Sequence, residues 1–327
     1  MMRTTLLAAA LALALTPAVA QDVTTIKFGF SSVADLENDN GAAALLFKHY
    51  VESHSDDLVV EVHGSSALGS DADVIQALQL GAGATMYVGG TATFNTFIAK
   101  VGVLDLPFMW KDYAHAARAL DGELGEALKA DFEAAGFKVL GYGFSWGYRN
   151  VVTKGVPITS PGDVGGLKLR TIQSPIYVAA LNAMGANATP MSFNEVYTAL
   201  QTGVLDGFEH AASMVYSAKL YEVSDHLALT RHLFGPTVMT YSLPLWNQLT
   251  PEQQTVVQDA ADFALEVARA MAPGREQEAL EKLVAEGMTI TEVDTSDFVA
   301  AALPLQDELA GGIDAADLLA AIRAAAQ

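Results

Sequence analysis

The chain has 327 residues with 38 Asp and Glu against 18 Lys and Arg, a formal net charge of −20. That balance excludes a general nucleic-acid binder, which needs clustered Lys and Arg to neutralise phosphates. The absence of Cys excludes disulfides, thiolate zinc sites and thiol nucleophiles, and a hydrophobic content of 51% excludes disorder while supplying core for one large or two medium domains.

Residues 1–20 (MMRTTLLAAALALALTPAVA) carry one basic residue, an apolar run too short to span a bilayer core of ~30 Å, and a small-x-small Ala18-Val19-Ala20. They read as a signal peptide cleaved before Gln21, not as a membrane anchor. After it, short β-rich runs alternate with helices: strand 25–30, helix 40–53, strand 58–63, then a helix capped by Ser70 and stopped at Gly81. Strands at 85–88, 138–142, 149–153 and 167–171 extend the alternation, which argues for βαβ units and a largely parallel sheet. Ser174-Pro175 opens a helix to about Gly185, and the capping box Ser192-Phe193-Asn194-Glu195 opens another that ends at Gly203, before a strand over 204–210. From Thr250-Pro251 a long helix runs to about Met271, is broken by Pro273-Gly274 and resumes over 276–286, as a connector between lobes would; a terminal helix begins near Ala315. No linker divides the chain, so two lobes joined by several crossing segments are expected.

Gly143-Phe144-Ser145-Trp146-Gly147 matches the G-x-S-x-G nucleophile elbow, with Asp206 and His226 in a possible triad order. An elbow needs a helix after the serine, and here the residues that follow, YRNVVTKGVP, read as strand; a serine hydrolase at Ser145 is therefore a distant alternative. No HExxH, phosphate loop, dinucleotide fingerprint or calcium loop occurs, and Asp71-x-Asp73 reads as solvated surface. The scarce arginines say more. Arg149 follows Phe144, Trp146 and Tyr148, and Arg170 ends the run GLKLR, so both guanidinium groups sit at strand ends where α/β sheets hold ligands and can take a carboxylate through two parallel hydrogen bonds. Either could equally serve a structural ion pair.

Around these arginines stand Gly166-Leu167-Lys168-Leu169-Arg170-Thr171, Met184-Gly185-Ala186, Thr189-Pro190, the run from Glu195 to Gly203 (EVYTALQTG) and Val204-Leu205-Asp206-Gly207, with Ser65-Ser66-x-Leu68-Gly69 and Leu106-Pro107-Phe108 upstream. In that order and spacing the sequence resembles the solute-binding proteins of TRAP (tripartite ATP-independent periplasmic) transporters, in the C4-dicarboxylate-binding DctP family. The resemblance covers nearly all of the chain after the signal segment. It implies a two-lobed α/β periplasmic binding protein with a cleft between the lobes and a long connecting helix. Such a protein closes like a hinge on an organic acid and hands it to small and large integral membrane subunits. The lobes are drawn as residues 21–147 plus about 236–273, and residues 148–235 plus about 274–327.

By the same resemblance Arg170 matches the arginine that binds the substrate carboxylate, and Arg149 the second cleft arginine. His210 stands where relatives carry Asn, Phe193 where a ring covers the ligand, Trp146 before the second arginine, and Ser31 near a first-strand polar contact. Sialic-acid binders carry a Glu and an Arg after the third strand; here Val88-Gly89-Gly90-Thr91 has neither, which disfavours sialic acid. A neutral His210 would offer a donor and an acceptor to a hydroxylated acid such as a uronate or aldonate, with Trp146 as a stacking wall. A C4-dicarboxylate, clamped by Arg149 and Arg170, is the alternative. No catalytic residue, metal, cofactor or nucleic acid is expected, and the protein is expected to be a periplasmic monomer.

Overall fold

Two runs rich in β-branched and aromatic residues, Phe137–Thr153 and His226–Ser242, each form one 17-residue strand, and the rest of the molecule is arranged around that pair. The structure is a computed structural model that describes residues 23–326; the side chains of Ser145 and Trp146, and the expected signal segment, lie outside that description.

In chain order the strands are β1 (Thr24–Gly29), β2 (Leu58–His63), β3 (Met86–Gly90), β4 (Phe137–Thr153), β5 (Lys168–Thr171), β6 (Asn187–Pro190), β7 (Gly207–His210), β8 (His226–Ser242) and β9 (Thr289–Glu292). The helices are α1 (Asp39–His54), α2 (Asp71–Leu80), α3 (Tyr113–Leu120), α4 (Glu123–Ala134), α5 (Pro175–Ala183), α6 (Val196–Gln201), α7 (Ala212–Ser217), α8 (Leu243–Trp246), α9 (Pro251–Ala285), α10 (Ser296–Gly312) and α11 (Ala316–Ala324). The strands join one sheet in the order β2-β1-β3-β8-β4-β7-β5-β6, with β9 against β8.

The sheet is mixed rather than largely parallel. The βαβ units β1–β2, β1–β3, β5–β6 and β5–β7 are parallel as expected, but β3–β8, β4–β8 and β4–β7 are antiparallel. The cause is the central pair: residues 138–142 and 149–153 are two ends of one strand, and β8 runs beside it from Phe137↔Ser242 to Thr153↔His226. The register shifts between Val139 and Gly141, between Gly143 and Gly147, and between Arg149 and Val151, as β-bulges or local irregularities do.

Each half of the sheet has its own cores. Ile26, Phe28, Phe47 and Val60 pack with Val257, Ala261 and Leu265 of α9 on one side; Phe208, Leu227 and Val215 pack with Ala279 and Leu283 of the same helix on the other. The helix expected to break at Pro273 therefore continues. Proline removes one backbone N–H and clashes with the preceding turn, but burial in two cores, one before and one after Pro273, holds the 35-residue helix together. On the turn beyond the proline, Arg275 forms an ion pair with Asp39 at the start of α1, and both residues are buried.

Candidate functional site

Strand register brings the site together. β5 lies between β6 and β7, with Arg170 opposite Thr189 and Phe208, and β7 lies antiparallel to β4, with Glu209 opposite Val151 and His210 opposite Asn150. Gly207 lets β7 approach this closely, since a Cβ there would stand 2.3 Å from the Val152 carbonyl oxygen. β4, β5 and β7 thus gather Arg149, Arg170, Glu209 and His210 into one cluster, and Arg170 lines a cavity of about 230 Å³. Its walls are Asp71, Ala72, Thr93 and Thr96 from the half of the sheet carrying β1–β3, and Arg170, Ile172, Gln173, Met191, Ser192 and Phe193 from the other half.

Arg170 is 3% exposed. Its Nε and Nη2 donate to the Met191 carbonyl at 2.9 and 2.7 Å, which locks one edge of the guanidinium, while Nη1 is buried without a partner. The Nη1/Nη2 edge therefore keeps N–H groups free for a carboxylate in the end-on bidentate mode. The guanidinium carbon lies 5.7 Å from the centre of the Phe193 ring, within cation–π range. Burial, with Arg149 adding to it, lowers the Arg170 pKa to about 10 against the pull of Glu209 and Asp71, so the group remains a cation.

Asp71 supplies the opposite sign. It begins α2, accepts from the Tyr87 hydroxyl at 2.8 Å, and is hydrogen-bonded by Ser31. Burial pushes its carboxyl up, opposed by these two hydroxyls and by Arg170. The sequence reading of Asp71-x-Asp73 as solvated surface is corrected here: Asp73 is the exposed partner of the Ser70 capping box, but Asp71 faces the cavity.

Of the six residues singled out from sequence, Arg170 and Phe193 line the cavity, and Ser31 supports Asp71 from behind. Arg149 does not line it. Fully buried, it donates through Nε and Nη2 to the Glu209 carboxylate, with Nη2 also 2.9 Å from the Glu209 carbonyl, and its Nη1 lies 3.3 Å from His210 Nδ1. His210 is 2% exposed and its ring stands 5.2 Å from that of Phe193. Burial first, then the charges of Arg149 and Arg170, holds the imidazole well below its ordinary pKa. Trp146 lies in β4, and its side chain is outside the description.

Sequence reasoning missed Asp71, Thr93, Thr96 and Gln173, and it did not pair Glu209 with Arg149. The backbone that an elbow requires is not present: β4 continues through Ser145, so no helix leaves the serine. Asp206 accepts from the Lys168 backbone N–H at 2.8 Å, and His226 sits 3.8 Å from Asp225.

Two lobes on a sheet with a long crossing helix, and a buried cation in a cavity between them, define a solute-binding receptor of the periplasmic type. The model of the DctP family, bacterial extracellular solute-binding protein family 7, matches residues 30–311, and the chain belongs to that family. It is 32% identical over 275 residues, 84% of this chain and 83% of the relative, to the 2,3-diketo-L-gulonate-binding periplasmic protein of Escherichia coli strain K12. It is 32% identical over 325 residues, 97% of this chain and 96% of the relative, to the C4-dicarboxylate-binding periplasmic protein of Rhodobacter capsulatus. A TRAP periplasmic solute-binding protein from Sulfitobacter sp. NAS-14.1 with bound β-D-galacturonate superposes with a TM-score of 0.86 at 29% identity, covering 92% of this chain and 100% of that one.

Proposed function

We propose that this protein is the periplasmic receptor of a TRAP transporter for a monoanionic, hydroxylated sugar acid of the uronate or aldonate kind. One observation carries the reading: Arg170, with N–H groups free on one edge, and Asp71, a half-buried carboxyl, wall the same cavity. The cation suits one carboxylate and the acid accepts from hydroxyls at the other end. A second carboxylate would face Asp71 and be repelled, which argues against a C4-dicarboxylate. The galacturonate complex of the similar Sulfitobacter protein supports the same class.

In this reading the lobes divide at the register shifts of β4 and β8 and at Pro273, near the boundaries drawn from sequence. The protein works as a monomer that closes on its ligand and passes it to membrane subunits without catalysing a reaction.

The test is calorimetry and thermal shift with hexuronates and aldonates against succinate and malate. A sugar acid is expected to bind at least tenfold more tightly than either dicarboxylate; the reverse order would reject the reading. Arg170→Ala, and Arg170→Lys because lysine lacks the planar fork, are each expected to lose tenfold or more in affinity with the fold retained. Asp71→Asn is expected to weaken sugar-acid binding and to narrow the gap to dicarboxylates.

A further inference from the structure

β3 reads Met86-Tyr87-Val88-Gly89-Gly90, and every residue of it is buried. Side chains two apart on a strand share a face. Here a Cβ on Gly89 would stand 2.0 Å from the Tyr87 Oη and 2.4 Å from its Cζ, so glycine at 89 is what lets the Tyr87 ring lie along the strand. The ring belongs to the same core as Val74, Ile75 and Leu78 of α2 and meets Phe94 edge to face at 5.7 Å. So held, the fully buried side chain brings its hydroxyl to the first residue of α2: Oη lies 2.8 Å from Asp71 Oδ1 and 3.2 Å from Thr93 Oγ1.

The direction of the proton in this cluster follows from the donors available. Thr93 gives its own proton to the Gly90 carbonyl at 2.7 Å, so toward Tyr87 it can only accept. An ionised Asp71 also only accepts. Burial and the neighbouring Asp71 charge hold the Tyr87 phenol well above its ordinary pKa, so it keeps its proton, and the shorter contact, to the charged oxygen, receives it. Ser31 adds a second hydrogen bond to the same carboxyl. The charged and titratable groups acting on Asp71 are Tyr87 from β3 and Arg170 from β5, while Asp73 on its own helix turns back to the Ser70 cap. Asp71 and Thr93 line the cavity; Tyr87 stands behind them.

We propose that Tyr87 is a positioning residue for ligand recognition: its hydroxyl, seated over Gly89, fixes the Asp71 carboxylate as an acceptor facing the cavity, so that this end of the site reads hydroxyl protons on the ligand. This rests on the sugar-acid reading and deepens it, because discrimination against a second carboxylate then depends on a residue that never touches ligand.

The first test needs no ligand. With ¹³C in the aspartate carboxyls, and the Asp71 signal identified by its loss in Asp71→Asn, titration of that carboxyl is followed in native protein and in Tyr87→Phe, which keeps the ring and removes only the hydroxyl. Loss of a donor to the charged form raises a carboxyl pKa, so the midpoint is expected to move up by about one unit. An unmoved midpoint would overturn the proposal. The second test is calorimetry with D-galacturonate between about pH 4 and 8. Affinity is expected to fall on acidification as Asp71 is protonated, with the fall displaced upward by the same amount in Tyr87→Phe and absent in Asp71→Asn. A merely structural loss would lower affinity equally at every pH and leave that midpoint in place. In an Asp71→Asn background, adding Tyr87→Phe is expected to cost less than about twofold in affinity. The same loss with and without Asp71 would show that Tyr87 acts by another route. If native protein does not bind galacturonate, it is the sugar-acid reading that fails, and the carboxyl titration still decides what Tyr87 does to Asp71.

Discussion

At the scale of single residues, buried titratable groups set opposite trends with pH. Asp105 is fully buried, its Oδ1 accepting from the Thr91 hydroxyl at 2.9 Å; burial pushes its carboxyl up to about 8, against Thr91, Asn95, Arg149 and Tyr177. An acid raised in the folded state stabilises it most below the unfolded value of about 4, and that contribution is lost as pH rises toward 8. His232 behaves in the reverse sense: burial depresses it to about 4, so its contribution is lost as pH falls from about 6.5 toward 4. Melting profiles over this range are expected to lose their decline on the alkaline side in Asp105→Asn, and an unchanged decline would assign it elsewhere. Legibility at this scale divides in the same physical way. Arg170 and Phe193 could be read because each stands in a motif with fixed spacing. Asp71 could not, because an acid on the first turn of a helix satisfies the helix by itself, and only the fold brings Tyr87 and Arg170 toward it. The pairing of Arg149 with Glu209 is a cross-strand fact between residues 60 positions apart, and no local signal marks it.

At the scale of elements, caps were legible and junctions were not. Ser70, Ser174 and Thr250 each accept from the third residue of the helix they open, as their side-chain chemistry foretells. The continuity of β4 and of α9 depends instead on tertiary burial, which overrides the glycines in one and the proline in the other. The Asp39–Arg275 pair, on the turn after Pro273, joins α1 to α9 just where the long helix changes cores. Burial pushes the Asp39 carboxyl up to about 6 in spite of the guanidinium. Arg275→Met is expected to cost about 3–5 kcal/mol, because it strands a buried carboxyl, whereas Asp39→Leu combined with Arg275→Met is expected to recover most of that loss. Chemical denaturation of the three variants measures the difference, and no recovery in the double variant would show that the pair acts through more than its charges.

At the scale of the whole molecule, a body of formal charge −20 receives an anion. Long-range repulsion slows encounter and salt screens it, while in the proposed reading Arg170 acts only at contact. Stopped-flow association of a sugar acid is therefore expected to speed up with ionic strength; a rate that falls with salt would mean that the local field of the cavity governs approach. Ligand is also expected to raise the melting temperature by mass action, by about 2.7 kcal/mol of stability at a hundredfold excess over Kd.

The two long strands bear on how the chain folds as well as on how it works. Met86 pairs with Tyr241, and Phe137 with Ser242, so neither half of the sheet can be completed until the polypeptide has been delivered as far as its 242nd residue. Contacts this distant in sequence form slowly. Both halves of the sheet therefore wait on the same strand, and β8 is the keystone whose arrival lets them set together.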